Sequence, residues 1–173
     1  MNELGQSRDA VLVQRSGSFF EKGNWQARWI LEKYADDEAF ARGEPYSRTV
    51  LPGNILLNDG IGELLDLLIG AGGTAFNSAN ARIGVGDGDD AESPTQTGLV
   101  GANKTYKGMD PGFPSRSNQT VAFRATFGGA EANYAWREFT VDNGTISLNR
   151  KVSDQGSKAS GQTWTITLEI TIA

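Results

Sequence analysis

The chain contains no cysteine and no histidine. Without cysteine it has no disulfide framework, no thiolate zinc site and no thiol nucleophile. Without histidine it lacks the commonest general base, the Ser-His-Asp triad and the usual transition-metal ligand. Carboxylate, lysine or magnesium chemistry stays open, yet the two absences together argue against an enzyme. Long apolar runs are also missing. The longest, Leu64 to Ile69, is broken by Asp66, and a bilayer-spanning helix needs about 20 apolar residues. Positive charge is in deficit, with a formal net charge of −5 and no basic stripe. Neither a nucleic acid nor a membrane is expected as a partner. The opening MNELGQSRDA carries Glu3, Arg8 and Asp9 and has no apolar core. No secretory signal is therefore expected, and the protein reads as a soluble product of a cytoplasm.

Proline is scarce (5 residues) and glycine abundant (22), the balance of a chain with many tight turns, as in all-β folds. A length of 173 residues suffices for one domain with its own core. Residues 1–24 read as an extended arm, with Val11-Leu12-Val13 and the adjacent Phe19 and Phe20 as its apolar content. Two readings stay open for it: a frayed terminus, or a tail that orders against a neighbouring subunit. Residues 25–173 read as one domain. Trp25 to Tyr34 alternates, with Trp25, Ala27, Trp29 and Leu31 on one face, which predicts a half-buried strand. Asp36 to Glu44 reads as a charged loop, and Tyr46 to Leu51 as a second strand ended by Pro52-Gly53.

Leu56 to Ile69 predicts the one helix. Asn58 or Asp59 would cap it, and Ile61, Leu64, Leu65, Leu68 and Ile69 form an apolar stripe that should seal a sheet. Gly70 stops it. Ile83 and Val85 then form a core strand that runs into a turn rich in glycine and aspartate. Val100 to Ser117 reads as the longest irregular segment, of a kind that often becomes ordered at an interface. Val121, Phe123, Ala125 and Phe127 share a strand face. Tyr134 to Val141 and Thr145 to Val152 form a hairpin about Asn143-Gly144. The closing strand is the clearest, with Trp164, Ile166, Leu168, Ile170 and Ile172 alternating with a polar, threonine-rich set. It should lie well inside its sheet. The fold class expected is mainly β, an antiparallel β-sandwich or jelly-roll-like domain with one short amphipathic helix.

Four constellations could carry chemistry. Asp87, Asp89 and Asp90, with Glu92, offer oxygens to a hard cation, and Asp87-Gly88-Asp89 resembles the start of a calcium loop. The spacing then departs: Ala91 and Glu92 stand at the fifth and sixth positions and Gly98 at the twelfth, where a ligand, a glycine and a glutamate are required. A tight turn explains the same residues. Gly98 to Thr105 has the first glycine, lysine and threonine of a phosphate loop, but Asn103 replaces its second glycine and no helix pattern follows. Glu131 and Glu138 flank Tyr134 to Trp136 as a carboxylate pair beside aromatics. In a strand, however, Glu138 is better paired with Arg137 or Arg150, or turned to solvent. Trp25, Trp29, Trp136 and Trp164 are spaced as core residues, with a sugar-binding platform as the alternative. No cofactor is expected.

Several segments occur in an order that resembles a known group. They are Asn54 to Leu57, the helix GIGELLDLL, ARIGVGDG from Ala81 to Gly88, and SPTQTGL from Ser93 to Leu99. Val121 to Phe127, Ala132-Asn133 with Glu138, and the closing strand complete the series. The order is similar to that in small structural proteins of tailed-phage virions and, in outline, to the N-terminal region of tail-collar fibre proteins. Where the collar fibres carry GGF-x-I-x-E-x-G, this chain reads AWREFTV. The resemblance implies a non-enzymatic virion building block, assembled in the host cytoplasm. A capsid decoration (cement) protein is the first expectation. A neck, collar, tail or fibre-attachment component, or a carbohydrate-binding module for host recognition, is the alternative. Its partners would be major capsid or tail and neck proteins, and it would act as a homo-oligomer. The residues expected to make those contacts are Val11, Leu12, Phe19 and Phe20 in the arm, and Tyr106, Met109 and Phe113 in the irregular segment.

Overall fold

The computed structural model describes residues 24–173. Among the described residues, ten strands and two helices follow in order: β1 (Trp25–Tyr34), α1 (Asp37–Arg42), β2 (Ser47–Pro52), β3 (Ile55–Leu56), α2 (Asn58–Ile69), β4 (Arg82–Gly86), β5 (Lys104–Gly108), β6 (Ser115–Ser117), β7 (Thr120–Phe127), β8 (Glu138–Asp142), β9 (Asn149–Val152) and β10 (Thr163–Ile172). They make a mainly β protein of two five-stranded antiparallel sheets, ordered β2-β1-β10-β7-β6 and β3-β9-β8-β4-β5. The architecture is a β-sandwich, as the alternation of the sequence leads one to expect.

β1 and β10 coincide with the two clearest alternating segments, and they pair along their whole length from Trp25↔Ile172 to Tyr34↔Thr163. β10 is the central strand of its sheet. Apolar side chains of one parity point inward. Trp29 and Leu31 from β1, Phe123, Ala125 and Phe127 from β7, and Ile166 and Leu168 from β10 meet Ile83, Val85, Phe139 and Val141 of the second sheet. Trp136 stands at the centre, edge-on to Phe127 and Trp164 with ring centroids 5.0 Å apart in each pair. Its indole N–H donates to the Ala132 carbonyl at 2.9 Å. Aromatic pairs in this geometry add about 0.5–1.5 kcal/mol each beyond the area they bury.

Several local expectations change. The charged stretch after β1 is a short helix, α1. The Asp36 side chain caps it by accepting from the Ala39 N–H at 2.7 Å, and Gly43 ends it in the left-handed conformation (φ 67°). Phe40 then packs edge-on against Tyr34, so one aromatic contact and one cap order a run that reads as solvated. Lys104–Gly108 and Ser115–Ser117 are strands within the segment expected to be irregular, because sheet edges were open to receive them. The strand expected over Tyr134 to Val141 begins only at Glu138, and that expected over Thr145 to Val152 begins at Asn149. Thr163 and Thr165, on the polar face of β10, are buried as well.

α2 departs most. Leu57, not Asn58 or Asp59, is its N-cap, and no side chain caps it. The start is set by tertiary bonds instead: Leu57 N donates to the Leu148 carbonyl at 3.1 Å and Asn58 N to the Pro94 carbonyl at 2.8 Å. Of the apolar stripe only Leu64 packs against the core. Leu65, Leu68 and Ile69 are 55%, 79% and 76% exposed, and within the helix only Gly60 is buried. Polar bonds hold the helix down, with Glu63 Oε1 accepting from Thr74 N at 2.5 Å and Asn143 Nδ2 at 2.8 Å.

Candidate functional site

β8 is buried at all five positions, although a strand in a two-sheet sandwich normally keeps one face wet. Phe139 and Val141 point into the core, so Glu138, Thr140 and Asp142 lie on the outer face by alternation. At Glu138 that face is covered by the connection from Asp87 to Asn103.

A buried ion pair anchors the cover. Glu138 and Arg150 are both fully enclosed, with Arg150 Nη2 2.8 Å from Glu138 Oε2. Arg150 Nε donates to the same oxygen at 2.9 Å, so Nη2 serves as an ion contact beside an aligned hydrogen bond. The other carboxylate oxygen, Oε1, accepts from the backbone N–H groups of Gly101 at 2.7 Å, Val100 at 3.1 Å and Gly88 at 3.2 Å. Arg150 Nη1 donates to the Asp90 carbonyl at 2.9 Å and to Gln96 Oε1 at 3.0 Å. Two side chains on neighbouring strands thus fasten one loop at several points. The glycines follow from this contact. A Cβ at Gly86 would lie 2.5 Å from Glu138 Oε1, and one at Gly88 2.6 Å from Gly101 N.

The aspartates of the turn do not converge. Asp87 Oδ1 accepts from Asn103 N at 2.9 Å and Oδ2 from Asn103 Nδ2 at 2.6 Å. These bonds, the side-chain amide first, hold its carboxyl below the usual carboxylate range. Asp89 is turned outward toward Arg137 at 3.6 Å. Asp90 takes part through its carbonyl, and Glu92 Oε1 accepts from Val152 N at 2.5 Å. Among the described residues no group of three or more carboxylates is arranged to hold a metal ion.

The other constellations resolve in the same manner. Lys104 and Thr105 lie on strand β5, and Lys104 Nζ donates to the Leu99 carbonyl at 3.3 Å, so no phosphate loop forms. Glu131 accepts from Lys107 Nζ at 2.5 Å and from Gly128 N at 2.8 Å. Lys107 draws its pKa down. Since Glu138 is sealed beneath the loop, the two glutamates do not face a common cleft. Glu138 pairs with Arg150, one of its two expected partners; Arg137 instead reaches Asp89 and Asp154. Trp136 is fully buried and offers no platform to a sugar.

Of the expected contact residues, Val11, Leu12, Phe19 and Phe20 lie outside the described residues. The other three do not form one patch. Tyr106 packs over Gly84 and under the Arg82 guanidinium, 4.9 Å from its ring centre, and burial raises its hydroxyl pKa. Met109 packs against the core. Phe113 lies 6.0 Å from the Arg124 guanidinium, in a shallow depression of about 360 Å³ shared with Phe40, Asp110 and Thr126. Sequence reasoning missed the apolar groove between α2 and the sheet end, of about 590 Å³, lined by Trp25, Leu64, Leu65, Phe76, Val121 and Ile172 among others. Its signal lay in the stripe of α2, which marks an apolar face without saying what covers it. Comparison of the chain with protein-family models, with curated proteins and with solved structures finds no match in any of the three.

Proposed function

We propose that this chain is a non-enzymatic structural component of a tailed-phage virion, in the first place a capsid decoration protein that acts as a homo-oligomer. The carrying observation is how the residues of the resemblance are used. The IGVGDG turn, the SPTQTGL segment and Glu138 all meet at the Glu138–Arg150 pair, where their polar groups fasten a loop to a sheet. Such a motif supplies a rigid scaffold rather than a reacting group. The exposed C-terminal turn of α2, with Leu68 and Ile69, supplies apolar surface of the kind that marks protein contacts. Assembly on a lattice multiplies weak contacts of this sort.

The test is localisation on purified particles by mass spectrometry and immunogold labelling, with light scattering on the isolated protein. The reading expects the chain in the particle and an oligomer in solution. Absence from the particle would sink it, and a label on the neck or tail would move the chain to that position. A carbohydrate-binding module is the second reading, favoured by the Phe40, Phe113, Asp110 and Arg124 depression, where aromatic faces adjoin charged hydrogen-bonding groups. Glycan binding lost on Phe113→Ala with the fold intact would support it.

A further inference from the structure

We infer that the groove between α2 and the end of the β1–β10–β7 sheet is the seat of α2 from a second copy of this chain, in a two-fold dimer where each helix covers the other's groove. The inference rests on the homo-oligomer part of the reading above and names its interface. Ile61, Leu65 and Leu68 are exposed and fall four and three residues apart, so they form one line along the helix. Ile69, also exposed, lies beside that line. Leu64, Leu65 and Leu68 form one wall of the groove, and Val121 and Ile172 stand on the other. The same apolar face is thus the wall of one groove and a surface that can enter another. An interface between identical copies about a two-fold axis requires a patch that is complementary to itself in this way. Left uncovered, apolar surface of this kind is costly in water.

Charge selects the second copy and its orientation. α2 has two exposed acids, Asp59 and Asp66, and no basic residue. At about 100° per residue, both lie on the edge of the helix roughly opposite Leu64. Arg116 of β6 is exposed at the far side of the groove, its Nη1 donating to the Asn118 carbonyl at 2.6 Å. Among the described residues none of these three charges makes an ion pair. A two-fold axis perpendicular to the helices runs them antiparallel and sets the two acidic edges side by side, where like charges repel. An axis along the helices instead turns the acidic edge of the incoming α2 toward Arg116, and the relation is reciprocal. The dimer then gains two Arg116–Asp66 pairs at the rim of an apolar contact. A helix of 12 residues is about 18 Å long, so the contact is small and the dimer reversible.

Sedimentation equilibrium of the full chain across a wide concentration range tests the seat. The parent is expected to dimerise reversibly. Asp66→Arg and Arg116→Asp are each expected to weaken the dimer roughly tenfold or more by setting like charges together, and the double variant Asp66→Arg/Arg116→Asp to recover most of that loss. Leu68→Asp, at a largely exposed position, is expected to abolish the dimer with the circular dichroism spectrum unchanged. Because the chain has no cysteine, single thiols read the orientation. Along an axis parallel to the helices each position meets its own copy, so Ile61→Cys and Leu68→Cys should each form a disulfide-linked dimer on oxidation. Val50→Cys, exposed on β2, should not, and equal yield there would overturn the inference. Cross-linking only in a mixture of the Ile61→Cys and Leu68→Cys variants would overturn the parallel arrangement. A dimer that none of the α2 and Arg116 changes weakens would overturn the seat and leave the homo-oligomer reading standing on another surface. A monomer at every concentration would overturn both. No readout involves the particle, so failure here is separable from failure of the virion reading.

Discussion

Glu138 of β8 and Arg150 of β9 pair diagonally with neither side chain reaching solvent, 2.8 Å apart at closest approach. Each desolvated charge is satisfied twice, by the other and by the loop laid over them. Removing one partner leaves an uncompensated buried charge, which costs about 3–5 kcal/mol. Arg150→Met is therefore expected to lower the free energy of unfolding by that amount, and Glu138→Gln by a similar one. The double variant Glu138→Gln/Arg150→Met is expected to lose less than the sum, because no unpaired charge remains. Urea denaturation of the four proteins completes the cycle, and strict additivity would show that the pair is not coupled.

The glycines beneath the loop make a second test. Gly86→Ala places a methyl group 2.5 Å from Glu138 Oε1, so the carboxylate must leave its three backbone donors. A loss of about 1–3 kcal/mol is expected. At Gly108, at the far end of β5, a methyl group would meet nothing within 4 Å, and Gly108→Ala should be close to neutral. Thermal melting of the two variants separates a packing effect from a general intolerance of alanine in these strands.

Two glycines in α2, two residues apart, predict opposite signs. A Cβ at Gly60 would lie 2.5 Å from the Leu148 carbonyl oxygen, whereas one at Gly62 meets nothing within 4 Å. Gly62→Ala should stabilise by about 0.5–1 kcal/mol, through helix propensity and a less flexible unfolded chain. Gly60→Ala should destabilise, as the helix is pushed off the backbone it rests on. Chemical denaturation of both variants gives the two signs. Equal effects would mean that α2 is not seated on Leu148.

Acid stability should depend on Asp87. Its carboxyl is held below the ordinary value of 3.8, chiefly by the Asn103 side-chain amide. A carboxyl with its pKa lowered by folding contributes fully above the unfolded value and loses that contribution as pH falls through the folded one. Asp87→Asn should therefore flatten the decline in melting temperature as pH falls below about 4. Calcium should leave the melting temperature of the parent protein unchanged. A calcium-dependent rise that Asp87→Asn abolishes would return the turn to the metal reading.

Much of the sandwich was legible from residue order alone. The two long alternating segments became β1 and β10, and Ile83, Val85, Phe123, Ala125 and Phe127 went inside as their parity required. Strand alternation is a local property of the chain, and burial of one face follows from it. The left-handed stop at Gly70 was equally local. The sequence also offered Glu138 and Arg150 as partners. It did not disclose that a loop covers them, because that depends on where Gly88, Val100 and Gly101 fall in space. Tertiary structure alone decided the fate of α2. An amphipathic stripe states that a helix has an apolar face, not which surface will take it. Here Leu148 and Asn143 fix the helix by its glycine and its glutamate, and the stripe is left beside an open groove.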